Sequence, residues 1–244
     1  MLAYAIVMTV AAFLFLTGFV LLAWKSGSCK RLSGKTGFRG AKEPTDRSLL
    51  GWSNMLEKMD YSPDIVFFGD CLIKDSDFRF AFPSEKIVNL GYAGDTLEGM
   101  LRRVSMVKAL SPKKVFLLGG IHGLKNKGAE SSIEAYGRLL DRLLAAVPTA
   151  TVYVQGLPPV SRAKERKLCS NKTIRDFNEG LCALAFGRGC PFIDLYSLYE
   201  KDGEIDPTLS ADGLHLRESA YARWATKLAP FLASGEGTER KDLP

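Results

Sequence analysis

Two histidines stand in this chain of 244 residues, His122 and His215. His215 lies in the run Ser210-Ala211-Asp212-Gly213-Leu214-His215-Leu216. A carboxylate three residues ahead of an imidazole on a tight turn can reach its Nδ1, fix the tautomer and leave Nε2 free as a base. A capping loop with an incidental surface histidine accounts for the same run equally well. Cys71 follows Gly69-Asp70 where a short apolar run ends. The common fate of a free cysteine is to be a small buried hydrophobe. At a rim, beside an imidazole, its pKa would instead fall and the thiol would act as a nucleophile.

The elements that must position these groups alternate regularly. Apolar runs at Ile65–Phe68, Ile87–Leu90, Val115–Leu118, Val152–Val154 and Phe192–Leu195 predict five strands. Between them lie helical stripes: Leu97, Leu101, Val104 and Val107; Ile133, Tyr136, Leu140, Leu143 and Val147; Ile174, Phe177, Leu181 and Leu184. An earlier stripe of Leu49, Leu50, Trp52, Leu56 and Met59 opens the domain near Arg47, and a last helix carries Tyr221, Trp224, Leu228 and Phe231. Continuous apolar strands alternating with amphipathic helices imply a parallel sheet covered on both faces. Sites in such sheets form beyond the carboxyl ends of the strands. Gly69-Asp70-Cys71, Gly91-Tyr92-Ala93-Gly94-Asp95, Gly119-Gly120-Ile121-His122 and Gly156-Leu157-Pro158 therefore line one rim.

In that order, with Asn89-Leu90 before Gly91, Thr96 after Asp95 and Asp212-Gly213-Leu214-His215 at the end, the segments resemble the SGNH (GDSL) hydrolase superfamily. They are most similar to its small bacterial esterases of the platelet-activating-factor acetylhydrolase type. The resemblance covers about residues 60–232. It implies a flavodoxin-like three-layer α/β/α sandwich with a five-stranded parallel sheet, and a nucleophile at Cys71 where the family carries serine. Asp212 and His215 match the acid and base. The implied oxyanion hole comprises the N–H groups of Cys71 and Gly94 and the side chain of His122, where the family carries asparagine. The implied reaction is hydrolysis or transfer of acyl groups from esters of sugars, lipids or simple alcohols, with no metal or organic cofactor. A fold that binds at a membrane without turnover, and a slow thiol acyl carrier, are the alternatives.

The N-terminus adds a second expectation. Met1–Trp24 carries no charged side chain and, as a helix, spans roughly 33–36 Å, enough for a bilayer core of about 30 Å. Its apolar run exceeds the usual signal-peptide core of about 7–15 residues and no cationic segment precedes it, so a single membrane-spanning anchor is expected. Residues 25–46 then form a Gly-, Ser- and Lys-rich linker, 47–232 the folded domain and 233–244 a polar disordered tail. Lys25, Lys30, Arg31, Lys35, Arg39 and Lys42 follow the apolar run without an acidic residue among them, which favours a cytoplasmic domain. They account for the net charge of +6, leaving 27 basic against 27 acidic residues elsewhere; a nucleic-acid surface is excluded on that ground. The basic run Arg162, Lys164, Arg166 and Lys167 is expected to face water. Five cysteines in unpaired spacing describe neither a disulfide framework nor a zinc site, and Cys169, Cys182 and Cys190 are expected to pack or lie near the surface.

Overall fold

The computed structural model describes residues 46–58 and 61–232. The expected membrane span 1–24, the tail 233–244, Met59 and all of the linker but Asp46 lie outside them; Asp46 already belongs to the first helix, α1 (Asp46–Lys58). Among the described residues no helix is long and apolar enough to cross a membrane.

Five parallel strands form the sheet: β1 (Ile65–Gly69), β2 (Ile87–Gly91), β3 (Lys114–Leu118), β4 (Thr151–Gln155) and β5 (Phe192–Ile193), in the order β2-β1-β3-β4-β5. The chain moves from β1 outward to β2 and returns to β3 on the other side of β1, so β1 and β3 flank the point where the winding reverses. Two short helical turns, α2 (Cys71–Lys74) and α3 (Phe78–Ala81), follow β1. The main crossovers are α4 (Leu97–Leu110), α5 (Ile121–Ala146) and α7 (Asn171–Phe186), and α6 (Arg162–Glu165) is a single turn after β4. Beyond β5 come α8 (Tyr196–Tyr199), the antiparallel hairpin β6 (Glu200–Lys201) and β7 (Glu204–Ile205), and the last helix α9 (Glu218–Leu232).

Alternate residues of each strand face opposite sides, and the sequence supplies an apolar group to both. On one side Phe67, Phe116 and Tyr153 share a register line and stack, with ring centroids 4.9 and 4.6 Å apart. Phe78 of α3 and Trp224 and Phe231 of α9 cover this ladder. On the other side α4, α5 and α7 pack in succession, and α1 lies against α4 through the buried Ser53 hydroxyl, 2.9 Å from that of Ser105. Fully burying one such Leu, Val or Phe contributes about 1.5–3 kcal/mol. Strand positions agree with the apolar runs, except that β5 is only two residues long because Asp194 and Leu195 turn into α8.

A buried ion pair stands within the core. Arg103 of α4, almost fully buried, forms an ion pair with Asp95 and donates from Nη1 to the carbonyl of Leu90 (2.9 Å) and from Nη2 to that of Gly69 (3.2 Å). Its guanidinium lies 4.9 Å from the centre of the Phe68 ring and 5.7 Å from that of Tyr92. One side chain thus ties together the carboxyl ends of β1 and β2 and the loop after β2. Removing it leaves the Asp95 charge buried and two carbonyls short of a donor. Arg103→Met is expected to lose about 3–5 kcal/mol in denaturant unfolding, with part regained in the double variant carrying Asp95→Asn; a loss below 1 kcal/mol would contradict the clamp.

Candidate active site

The reversal point brings two strand ends side by side. Gly69 of β1 pairs with Leu118 of β3, so the chain emerging from each meets the other within a few residues. After β1, Asp70 caps α2, accepting a hydrogen bond from the N–H of Leu72 at 3.1 Å, and Cys71 is the first helical residue. Asn89 of β2 pins the same turn by donating from Nδ2 to the carbonyls of Ile73 and Ser76, both at 2.7 Å, while Oδ1 accepts from the N–H of Gly91. From the opposite side Tyr221 of α9 donates its hydroxyl to the carbonyl of Leu72 at 3.0 Å. After β3, Gly119-Gly120 lead into α5, whose second residue is His122. The result is a contact between Cys71 Sγ and His122 Nε2 at 3.9 Å, within hydrogen-bonding range for sulfur.

The expectation of an acidified thiol does not hold. Burial pushes the Cys71 thiol up to about 12, helped by the charges of Asp70 and Asp75 and opposed by the N–H groups of Cys71 and Gly94. Those two N–H groups therefore lie near enough to bear on the charge of the sulfur. Gly94 has φ +73°, which lets the loop after β2 turn its N–H inward without the steric cost a side chain would carry. The His122 pKa is lowered, first by burial and then by the neighbouring His215, against the pull of Asp95. His122 and His215 are thus close enough for their charges to interact. Thiol and imidazole form a neutral pair.

His215 is held by its own loop. The N–H groups of His215 (2.8 Å) and Leu214 (3.0 Å) donate to Asp212 Oδ1, and the ring Nδ1 lies 3.2 Å from Oδ2. The Ser210 hydroxyl closes the loop, donating to the carbonyl of His215 and accepting from the N–H of Gly213, both at 2.8 Å. Burial works to raise the Asp212 pKa, but Lys164, the two N–H groups and the His215 ring outweigh it and hold the carboxylate well below its ordinary range. Among the described residues no hydrogen bond joins His215 to Cys71. Cys71, His122 and Gly94 are gathered at one point, and Asp212 and His215 pair with each other beside His122.

Lys164 was not foreseen. Its run was expected to face water, yet its Nζ lies 2.7 Å from Asp212 Oδ2, the oxygen that also faces His215, and Arg162 pairs with Glu204 of β7. Close approach explains the contact: Gly213, at φ +85°, sits where a Cβ would come within 2.0 Å of Ser161 Oγ, and Ser161 donates its N–H to the Gly213 carbonyl. Of the remaining cysteines described, Cys169 and Cys190 are buried and Cys182 is exposed. Among the described residues no group of three or more His, Cys, Asp or Glu side chains could hold a metal ion.

Residues 75–223 match the GDSL-like lipase/acylhydrolase family. The chain belongs to this family. Asp212, His215, His122 and Gly94 fall inside the match; Cys71 lies four residues before it. Solved structures agree in fold. A Streptococcus pneumonia protein provisionally described as a platelet activating factor is 19% identical over 78% of this chain and 94% of its own, with a TM-score of 0.69. A GDSL-like lipase from Bacteroides thetaiotaomicron is 17% identical over 77% and 98%, at 0.65. An acetyl xylan esterase is 16% identical over 69% and 99%, at 0.58. No curated protein matches the sequence. Membership places the chain among hydrolases that act on ester bonds.

In this GDSL-like hydrolase Asp70 carries a cost. It is fully buried, its Oδ2 has no hydrogen-bond partner among the described residues, and burial together with Asp95 raises its pKa to about 7, against the Leu72 N–H and Arg103. That shift from 3.8 corresponds to about 4 kcal/mol. Between pH 4 and 7 the folded protein holds a proton that the unfolded chain has released, so this stability is present below pH 4 and lost as pH rises towards 7. Asp70→Asn, which keeps the acceptor for Leu72, is expected to match the wild type in urea unfolding at pH 4 and to exceed it at pH 7 and above, by at most about 4 kcal/mol. Parallel stability curves across that interval would count against it.

Proposed function

We propose that this family member is a membrane-tethered acyl-ester hydrolase acting through a Cys71–His215–Asp212 triad and a thioester acyl-enzyme. The observation that supports the proposal is the contact of the Cys71 thiol with His122 at the carboxyl end of β1, with the His215–Asp212 pair near His122, in a chain of the ester-hydrolysing GDSL-like family. Cys71 attacks the ester carbonyl, and the N–H groups of Cys71 and Gly94, with His122 beside them, hold the oxygen that becomes negative. His215, its tautomer set by Asp212, is an acid–base group of the cycle. The likeness to an acetyl xylan esterase favours short acyl groups such as acetyl on a sugar or lipid. The uncharged residues 1–24 and the basic linker hold the domain at a membrane, with the charge placing it on the cytoplasmic side. No nucleic-acid partner belongs to this function. A second function, binding or scaffolding by a catalytically impaired fold, draws support from the thiol pushed up to about 12.

Steady-state hydrolysis of p-nitrophenyl acetate by the full-length chain separates the two. Turnover that falls at least about a hundredfold in both Cys71→Ala and His215→Ala is the expected result. Absence of turnover on short- and long-chain esters leaves the binding function.

A further inference from the structure

The cleft holds two imidazoles for one thiol, and they differ in surroundings. His122 is half-buried, in the first turn of α5, where the positive end of the helix disfavours a proton on the ring. It alone among the described side chains is within hydrogen-bonding range of Cys71 Sγ. His215 is engaged by Asp212, and its side chain is 41% exposed, open to water. The Asp212 oxygen that faces it is shared with Lys164. A general base must be within reach of the proton that it removes, and in the resting site that proton sits on sulfur, next to His122.

Granting the ester-hydrolase function proposed above, on which this rests, we infer that His122 is the base that takes the proton from Cys71 during acylation, while His215 with Asp212 serves the water that resolves the acyl-enzyme. In the first half-reaction the Sγ–H proton passes to His122 Nε2 as the S–C bond forms and the carbonyl π pair moves to oxygen. The oxyanion collapses, the C–O bond to the alcohol breaks, and the departing alkoxide takes the proton from His122. Thioester and alcohol remain. In the second, a water proton passes to His215 Nε2 as its oxygen bonds to the acyl carbon; collapse breaks the C–S bond, the leaving sulfur takes the proton of the newly formed acid beside it, and His215 returns its proton to the resulting carboxylate. Ester and water become acid and alcohol, and both imidazoles end neutral. A buried thiol and a buried imidazole disfavour a standing ion pair, so the first proton moves together with C–S bond formation.

A single-base site and this two-base site respond differently to the same variants. The full-length chain, its Cys71→Ala blank, His215→Gln, His122→Asn and His122→Gln are mixed with p-nitrophenyl acetate, and nitrophenolate release on the millisecond-to-second scale is followed together with the mass of acid-quenched protein. His215→Gln is expected to release about one equivalent at a rate within about threefold of the wild type and to accumulate a monoacetyl adduct. His122→Asn, which keeps an amide donor for the oxyanion but cannot accept the proton, is expected to acylate about a hundredfold more slowly or worse, and His122→Gln likewise. Far-ultraviolet circular dichroism and a melting temperature close to the wild type identify the folded variants, and two substitutions at 122 guard against one failing to fold. Rapid acylation in His122→Asn with none in His215→Gln overturns the assignment and leaves the single-base triad. A wild type that neither turns over nor acquires an acetyl group overturns the ester-hydrolase function, and the assignment with it.

Discussion

The guanidinium of Arg103 is the constraint on which the site rests. Strand ends are where a parallel sheet runs out of backbone partners, and loops there are free to wander unless something holds them. Here one buried cation takes carbonyls at the ends of two adjacent strands, Gly69 of β1 and Leu90 of β2, and a carboxylate from the loop beyond, against two aromatic rings. Desolvating that charge costs several kcal/mol, and only its full set of acceptors offsets the cost. The arrangement is therefore close to all-or-none. With the clamp made, Gly69 fixes the start of the turn carrying Cys71, and Asp95 fixes the loop carrying the N–H of Gly94.

From that fixed frame the chemistry follows from burial. The clamp, the Asn89 amide and the Tyr221 hydroxyl all draw the Cys71 turn into the interior. Burial then keeps the thiol protonated and His122 neutral, and it leaves the Asp70 carboxyl with an oxygen that no described group satisfies. A preformed thiolate–imidazolium pair belongs to wetter, more positive surroundings than these. What the site holds is a neutral thiol and imidazole in contact, two N–H groups that bear on the sulfur, and a second, more exposed imidazole with its own carboxylate.

Much of this was visible in the chain. The five apolar runs are the five strands, and the central ones, β1 and β3, are buried on both faces. The glycines and polar residues that end them mark the rim, and Asp212 and His215 lie three residues apart on one loop, so their pairing is local. Long-range pairings were not legible. Arg103 stands among the apolar residues of α4 and reads as a solvated helix position; only the sheet order reveals the carbonyls that it meets. Lys164 sits in a basic run that composition assigns to water, and its partner lies 48 residues away. The meeting of Cys71 with His122 needs the β1–β3 register, which periodicity does not supply. The thiol's protonation was misjudged for the same reason: depth of burial is a property of the packed layers, not of the local sequence.

The central claim is that the sulfur of Cys71 carries the acyl group. Peptide mapping of acid-quenched protein taken during turnover of an acetyl ester tests it directly. A single acetyl group on the peptide containing Cys71, removed by neutral hydroxylamine as a thioester is, is the predicted result. Turnover with the acetyl group on another residue, or with every peptide unmodified under conditions that trap a thioester, would contradict it.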